Sequence, residues 1–340
     1  MLVSVIVITK DEAPRLRLSL LSLLRGGPAD GIEIIVVDDG SSDATGAVLR
    51  ELSQSRDLSC VRHDQPRGRS AARNAGARVA RGELLLFLDG DVVAAPDLCA
   101  LHASRHQSHE TLGVLGRGET WHLRCTRFFR DPELGVPFPE AAAHVARLSE
   151  DLSPYLVTRG QVKDDFAAIE RRGAPGIYPG SGPRRLYELE MGALREQAWP
   201  NVLWMAASGH NFSVRRADFE AVDGFDERLT INEHRELAMR LCDRGNRVVE
   251  VAGARTYHLT HRSGWRDPID ETSWERIFHE AHPGPVATLM SIFWLSLAND
   301  PLIPAHARIL SLADMGRILQ NGSDVDYDAI RRSHPRLASL

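Results

Sequence analysis

The chain has 340 residues, 43% of them apolar and 26% charged, with a net charge of -5. That balance belongs to a folded globular protein and excludes a disordered or fibrous chain. A mild acidic surplus offers no clustered positive charge for a phosphate backbone, so nucleic acid is not an expected partner.

The first run, MLVSVIVITKDE, has no basic leader and no small-residue cleavage site, and it reads as a strand over 3–9 rather than a signal peptide. A helix over 15–25 follows, with Leu16, Leu20, Leu23 and Leu24 on one face. A second buried strand covers 32–37, and Ser42 or Asp43 can cap a helix reaching Leu52. A short strand at 58–62, an alanine-rich helix at 70–81 and an apolar strand at 84–88 complete the first third. Strand and helix alternating at this rhythm indicate βαβ units and a parallel sheet.

Ligands of such sheets bind outside the carboxyl ends of the strands. Each expected strand end carries a polar cluster there: Thr9-Lys10-Asp11-Glu12, Asp38-Asp39-Gly40-Ser41 and Asp89-Gly90-Asp91. The clusters are therefore expected to converge on one crevice. Asp89 and Asp91 supply hard oxygen ligands, and a diphosphate bound without a phosphate-cradling loop needs a divalent cation to neutralise it. Asp38 and Asp39 offer acceptors for a base N–H or a ribose hydroxyl, although Gly40-Ser41 beside them can equally mark a turn.

The segments SVIVITKDEAPRL, VVDDGSSDAT and GRSAARNAGARVARGELLLFLDGD resemble the N-terminal half of the family 2 glycosyltransferases. That resemblance implies the GT-A fold, a Rossmann-like mixed, mostly parallel α/β sheet flanked by helices, here followed by a C-terminal helical extension. It further implies a nucleotide-sugar donor and a divalent metal, Mn2+ or Mg2+. Position by position, Thr9, Glu12, Asp38 and Asp39 would lie at the nucleotide, joined by Arg73 and Arg69 and by Gly90. Asp89 would bind the ribose or the metal, and Asp91 would be its principal protein ligand.

Between 123 and 200 the pattern weakens. Helices are expected over 141–149 and 187–197, with the proline- and glycine-rich loop GAPGIYPGSGP at 173–183 between them. This reads as an insertion bearing on the acceptor. Order returns at 204–214, where GHNFSVRR and then GFDERL resemble further segments of the same family, placing Asn211 at the donor and departing from a usual glycine at Asp223. A helix over 232–245 ends on a glycine, a strand follows at 247–251, and the chain beyond His279 looks helical.

The family usually opens that helix with Glu-Asp, the aspartate serving as general base, whereas this chain has Glu233-His234. A neutral histidine suits proton removal near neutral pH, and so does a carboxylate. His234 and Glu233 are both candidates, and a structural role for His234 is the competing reading. Enzymes of this fold often complete the metal shell with a C-terminal histidine, which makes His258 and His261 candidate ligands.

The division expected from these readings is a nucleotide-sugar-binding half at 1–122, an acceptor-side insertion at 123–200, an acceptor and catalytic half at 201–262 and a helical extension at 263–340. The expected activity is inverting transfer from a uridine or other nucleotide sugar, a hexose or N-acetylhexosamine donor, to a hydroxyl on a small molecule or glycan. A donor-binding protein without catalysis and a sugar nucleotidyltransferase are the alternatives, the latter disfavoured because ITKDEAPRL lacks a glycine-rich basic loop. Processive synthases of the family carry Q-x-x-R-W and membrane helices, absent here, so single addition is expected, with a natural-product pathway in keeping with the alanine- and arginine-rich composition. Cys60, Cys99, Cys125 and Cys242 show no C-x-x-C spacing and read as free thiols of a cytoplasmic protein. The apolar run at 286–298 is too short to span a bilayer, which takes roughly 20 residues, and reads as a core or interface helix, with peripheral membrane contact as the alternative. A homodimer is compatible with all of this.

Overall fold

The computed structural model describes residues 1–25, 31–53, 58–108, 113–148, 150–176, 186–261, 272–338 and 340. Ser149, the end of one expected helix, and residues 177–183 of the expected loop lie outside these residues.

The first third follows the expected alternation: β1 (Val3–Thr9), β2 (Ile32–Asp38), β3 (Leu58–Arg62) and β4 (Leu84–Asp89), separated by helices Ala13–Leu23, Thr45–Leu52 and Arg69–Val79. All of β1 is buried, as expected of a strand covered on both faces. Neither Ser42 nor Asp43 is the helix cap. Ala44 holds that position without a side-chain bond, while Asp43 accepts from Thr45 N–H at 2.9 Å and from Ala13 N–H at 3.0 Å, tying two helix starts together.

Seven further strands follow: β5 (Val92–Ala94), β6 (Val114–His122), β7 (Phe129–Asp131), β8 (Val136–Pro137), β9 (Ala174–Pro175), β10 (Phe212–Arg215) and β11 (Arg247–His258). The main sheet has nine strands in the order β3-β2-β1-β4-β10-β6-β11-β5, with β9 pairing β6. Strands β1 to β4 are mutually parallel, and β6 and β11 are parallel to one another. Between them β10 runs antiparallel to both β4 and β6, and β5 runs antiparallel to β11. This polarity decides where the chemistry sits. It brings the ends of β1, β2, β4, β6 and β11 and the starts of β10 and β5 to one edge.

Sequence reading did not resolve β6, whose glycines weaken a strand pattern. A Cβ on Gly116 would stand 2.5 Å from Ser213 Oγ, and one on Gly118 would stand 2.2 Å from Asn211 Oδ1. The side chains of Asn211 and of Ser213 in β10 fill the space that those glycines leave.

The helix expected over 232–245 spans Glu233–Asp243. It closes with Gly245 at φ 94°, Gly245 N–H bonded to Cys242 O at 2.9 Å and Asn246 N–H to Leu241 O at 3.1 Å, a Schellman ending. The C-terminal part holds helices Ser273–Ala281, Pro285–Leu297, Leu312–Asn321 and Tyr327–Ser333. Every residue of Pro285–Leu297 from Ala287 onward is buried, so the apolar run is core. No helix among the described residues is long and apolar enough to cross a membrane.

Candidate active site

Asp91, His258 and His261 each offer one ligand atom, and these atoms lie within 4.8 Å of one another. His261 Nε2 is 3.1 Å and His258 Nε2 3.3 Å from the same oxygen, Asp91 Oδ2. Burial pushes the Asp91 carboxyl up, but the two imidazoles outweigh it and hold the group well below its ordinary value. An anionic carboxylate beside two imidazoles is a donor set that fits a divalent ion. Glu12 stands at the rim of this cluster, its Oε1 3.9 Å from His261 Nε2. Asp89 is not part of it: Asp89 Oδ1 accepts from Arg73 at 3.0 Å.

Arg73, expected to face the nucleotide, is 1% exposed and bridges two carboxylates. One terminal nitrogen donates to Asp89 and the other to Glu233 Oε1 at 2.7 Å. Helix Arg69–Val79 reaches this depth because its alanines and Gly76 pack against the sheet; a Cβ on Gly76 would come 2.5 Å from Ile6. His234 continues the chain, its Nδ1 3.5 Å from Glu233 Oε1. Its other nitrogen, Nε2, accepts from Arg235 at 2.9 Å. Burial and the Arg235 charge lower the His234 pKa. For Glu233, burial acts upward, but His234, Arg73 and Arg69 prevail and hold the carboxyl far below its ordinary value.

The remaining expected donor residues divide. Thr9 Oγ1 is buried without a partner, and a Cβ on Gly90 would stand 3.0 Å from it, so these two positions are in close contact. Arg69, the first residue of its helix, is exposed. Asp38 is fully buried, accepting from Ser41 N–H at 2.9 Å and paired with Arg62, so it stabilises the turn. Asp39 holds the chain at 63–68, accepting from Arg67 N–H at 2.8 Å, Gly68 N–H at 2.9 Å and His63 at 2.7 Å.

Asn211, expected at the donor, is instead a completely buried cross-link. Its amide donates to Glu119 O and Ala254 O, each at 2.8 Å, and its oxygen accepts from His102 Nε2 at 2.9 Å. Its left-handed φ of 55° is what turns the side chain inward. Asp223 likewise holds a positive φ, 59°, which accounts for the glycine usual there in the resembling segments.

Sequence reading assigned no role to His210, which lies centrally. Its Nδ1 is 3.9 Å from Asp89 Oδ2 and its Nε2 3.1 Å from Thr120 Oγ1. Burial drives its pKa down to about 4, so the ring is neutral. The GHNFSVRR run was the available signal. Also missed were Glu190, Arg117 and Arg235, for which no local signal exists. Glu190 accepts from Arg235 at 2.5 Å and from Arg117 at 2.8 Å.

Residues 4–134 match the family model described as Glycosyl transferase family 2. The chain is 39% identical over 113 residues to an uncharacterized glycosyltransferase, YfnE, of Bacillus subtilis (strain 168), covering 33% of this chain and 29% of that one. It is 36% identical over 118 residues to validoxylamine A glucosyltransferase of Streptomyces hygroscopicus subsp. jinggangensis, covering 33% and 28%. These similarities span less than a third of the relatives' length. Its fold is similar to that of mannosyltransferase PcManGT from Pyrobaculum calidifontis in complex with GDP-Man and Mn2+, with TM-score 0.53, 19% identity, and coverage of 99% of this chain and 80% of that one.

Proposed function

Through residues 4–134 the chain belongs to glycosyl transferase family 2, and from that premise we propose that it transfers a sugar from a nucleotide-diphosphate donor to an acceptor hydroxyl with inversion. The observation that carries the reading is the convergence, at one sheet edge, of the Asp91, His258 and His261 cluster with the Asp89, Arg73 and Glu233 bridge. The proposed donor is a UDP-hexose or UDP-N-acetylhexosamine, and the acceptor a small molecule or glycan receiving one sugar.

Asp91, His258 and His261 would hold a divalent ion, Mn2+ or Mg2+, which when bound supplies charge neutralisation for the departing diphosphate. Thr9 Oγ1, buried and unpartnered, would bond the donor beside Gly90. Asp89, fixed by Arg73, would orient a donor hydroxyl.

The proposed base is Glu233. His234 Nε2 already accepts from a guanidinium, which stays protonated. Protonating that nitrogen would break the bond and set two cations face to face, so the ring hydrogen belongs on Nδ1, 3.5 Å from Glu233 Oε1. His234 then orients the carboxylate. As the acceptor oxygen bonds to the anomeric carbon, its proton passes to Glu233 and the bond to the diphosphate oxygen breaks.

A donor-binding protein without turnover is the second reading, favoured by the strongly acidic Glu233 carboxyl, which makes a weak base. Nucleotide release from a panel of UDP-sugars, with and without added acceptors, separates the two. Release that vanishes in Asp91→Ala and with chelator supports transfer. Tight donor binding with no release under any acceptor would sink it.

A further inference from the structure

Strands β6 and β11 run in parallel register from Val114 beside Arg247 to His122 beside His258. Their last residues lie at the edge that carries Asp91 and His258. Their first residues lie at the opposite end of the sheet, eight residues earlier on β6, or about 26 Å at the rise of a strand. There the outer side of β11 is open: β5 pairs with it only from Thr256 to His258, and among the described residues no other strand takes that side. Helices Leu98–Gln107 and Leu186–Glu196 lie on opposite faces of this stretch, Leu101 packing in one core cluster with Val251 and Leu194 in another with Val248. A cleft of about 500 Å³ opens between the two helix ends and the strand edge.

Part of its lining is apolar, supplied by Val114, Leu194 and Val249, all buried. The polar part is basic. Arg105 and Arg195 come from the last turns of the two helices, and Arg247 from the start of β11. Arg195 is neutralised, its Nη2 2.7 Å from Glu250 Oε1 and its Nε 3.0 Å from Glu250 Oε2. Glu250 is the one acid among the described residues that line the cleft, and that pair uses it. Arg105 and Arg247 differ: among the described residues no acceptor reaches either guanidinium, and Arg105 Nε is buried with nothing to donate to. A buried N–H that has left water without finding an acceptor is unfavourable, and it points to an acceptor supplied from outside the chain. Both groups stay protonated at any working pH, so the cleft holds two uncompensated positive charges beside apolar surface.

Two guanidinium groups lining one cleft match a ligand with two negative charges, and their planar N–H forks fit the oxygens of a phosphate. A phosphate monoester carries about 1.5–2 negative charges near neutral pH, whereas a carboxylate carries a single one. Inorganic phosphate would leave the apolar lining uncovered, and an apolar ester group would cover it. A flat membrane surface would not reach the buried Arg105 Nε, so the ligand is a soluble molecule that enters the cleft. We infer that this cleft is a second binding site, remote from the Asp91 edge, which takes a small organic phosphate monoester. It does not depend on the glycosyltransferase reading.

The test titrates the full chain with phenyl phosphate by isothermal titration calorimetry, in the presence of chelator so that no metal-assisted binding at the other edge contributes. Saturable binding at one site is expected, with inorganic phosphate and benzoate each at least about tenfold weaker. Arg105→Gln should weaken phenyl phosphate by more than about tenfold, as loss of a buried charge-assisted donor predicts. Arg247 is exposed, so Arg247→Gln should cost less, about threefold, and is the variant least able to disturb folding. Circular dichroism checks both, and Asp91→Ala should bind phenyl phosphate as the parent does. No saturable binding would overturn the inference, and so would benzoate or inorganic phosphate binding as tightly as the ester. Binding that survives both arginine substitutions but is lost in Asp91→Ala would place the ligand at the other edge and reject the cleft. Sedimentation with vesicles containing phosphatidic acid, in a chain that ignores phenyl phosphate, would assign the arginines to a lipid headgroup instead.

Discussion

Arg73 and Glu233 meet at 2.7 Å across 160 residues of sequence, and both are buried. The contact joins the helix after β3 to the helix before β11, so two segments far apart in the chain share one ion pair. A second carboxylate, Asp89, holds the other end of the same guanidinium.

Arg73→Ala should therefore be costly in two ways. It leaves the buried Glu233 carboxylate without its cation, a change worth about 3–5 kcal/mol of stability when a buried pair loses one partner. Urea unfolding monitored by fluorescence gives that number. Nucleotide release at a temperature where the variant is still folded should fall with it, and unchanged release would remove Arg73 from the site's architecture.

Glu233→Gln tests the base directly. Turnover should drop by about 10²–10⁴, the usual contribution of a positioned general base, with donor affinity little changed. His234→Gln should do less, because its role is to orient. If the histidine variant is the more damaged of the two, the assignment of roles is reversed.

Gly209 sets the spacing of these groups. A Cβ there would stand 3.1 Å from Arg73, 3.2 Å from Glu233 Oε1 and 3.3 Å from His234 Nδ1, tighter than ordinary contact to all three. Gly209→Ala should lower turnover much more than it lowers the urea midpoint, since a small displacement of reacting groups is felt strongly in rate. Equal losses in both would mark Gly209 as a packing residue only.

His102 sets an acid limit on stability. Buried between Ser213 and Asn211, it has its pKa lowered by burial to about 4, against an ordinary value of 6.5. The unfolded chain then binds the proton more readily, so the contribution is fully present above pH 6.5 and is lost as pH falls toward 4. Its size is about 3 kcal/mol, and His210 titrates in the same window. In His102→Gln the fall of the urea midpoint between those pH values should be shallower; an unchanged slope would reject the linkage.

The division between what pattern reveals and what it hides has a physical cause. β1, β2 and β4 are apolar runs closed by acidic clusters, and periodicity plus the strand-end rule suffices to place Asp89 and Asp91 at one edge. Those runs and the motifs beside them also point to the family. The pairing of Arg73 with Glu233 follows from no local rule, because it depends on β10 reversing direction within the sheet. Asn211 illustrates the opposite error: it occupies a motif position, yet its left-handed backbone turns the amide into the core. Glu190 and Arg235 come together through tertiary packing of a segment whose local pattern is weak.

Glu190 lies in helix Leu186–Glu196 and is the shared counter-charge of Arg117 and Arg235, and Arg235 in turn fixes the His234 ring. Modularity is limited by that arrangement. A chimera that exchanges residues 123–200 for those of a relative also removes Glu190. Two guanidinium groups would then be left in the interior without an anion between them. Successful recombination would have to carry positions 117, 190 and 235 as one unit, and the crossover points for such grafts are set by that triad more than by the edges of the insertion.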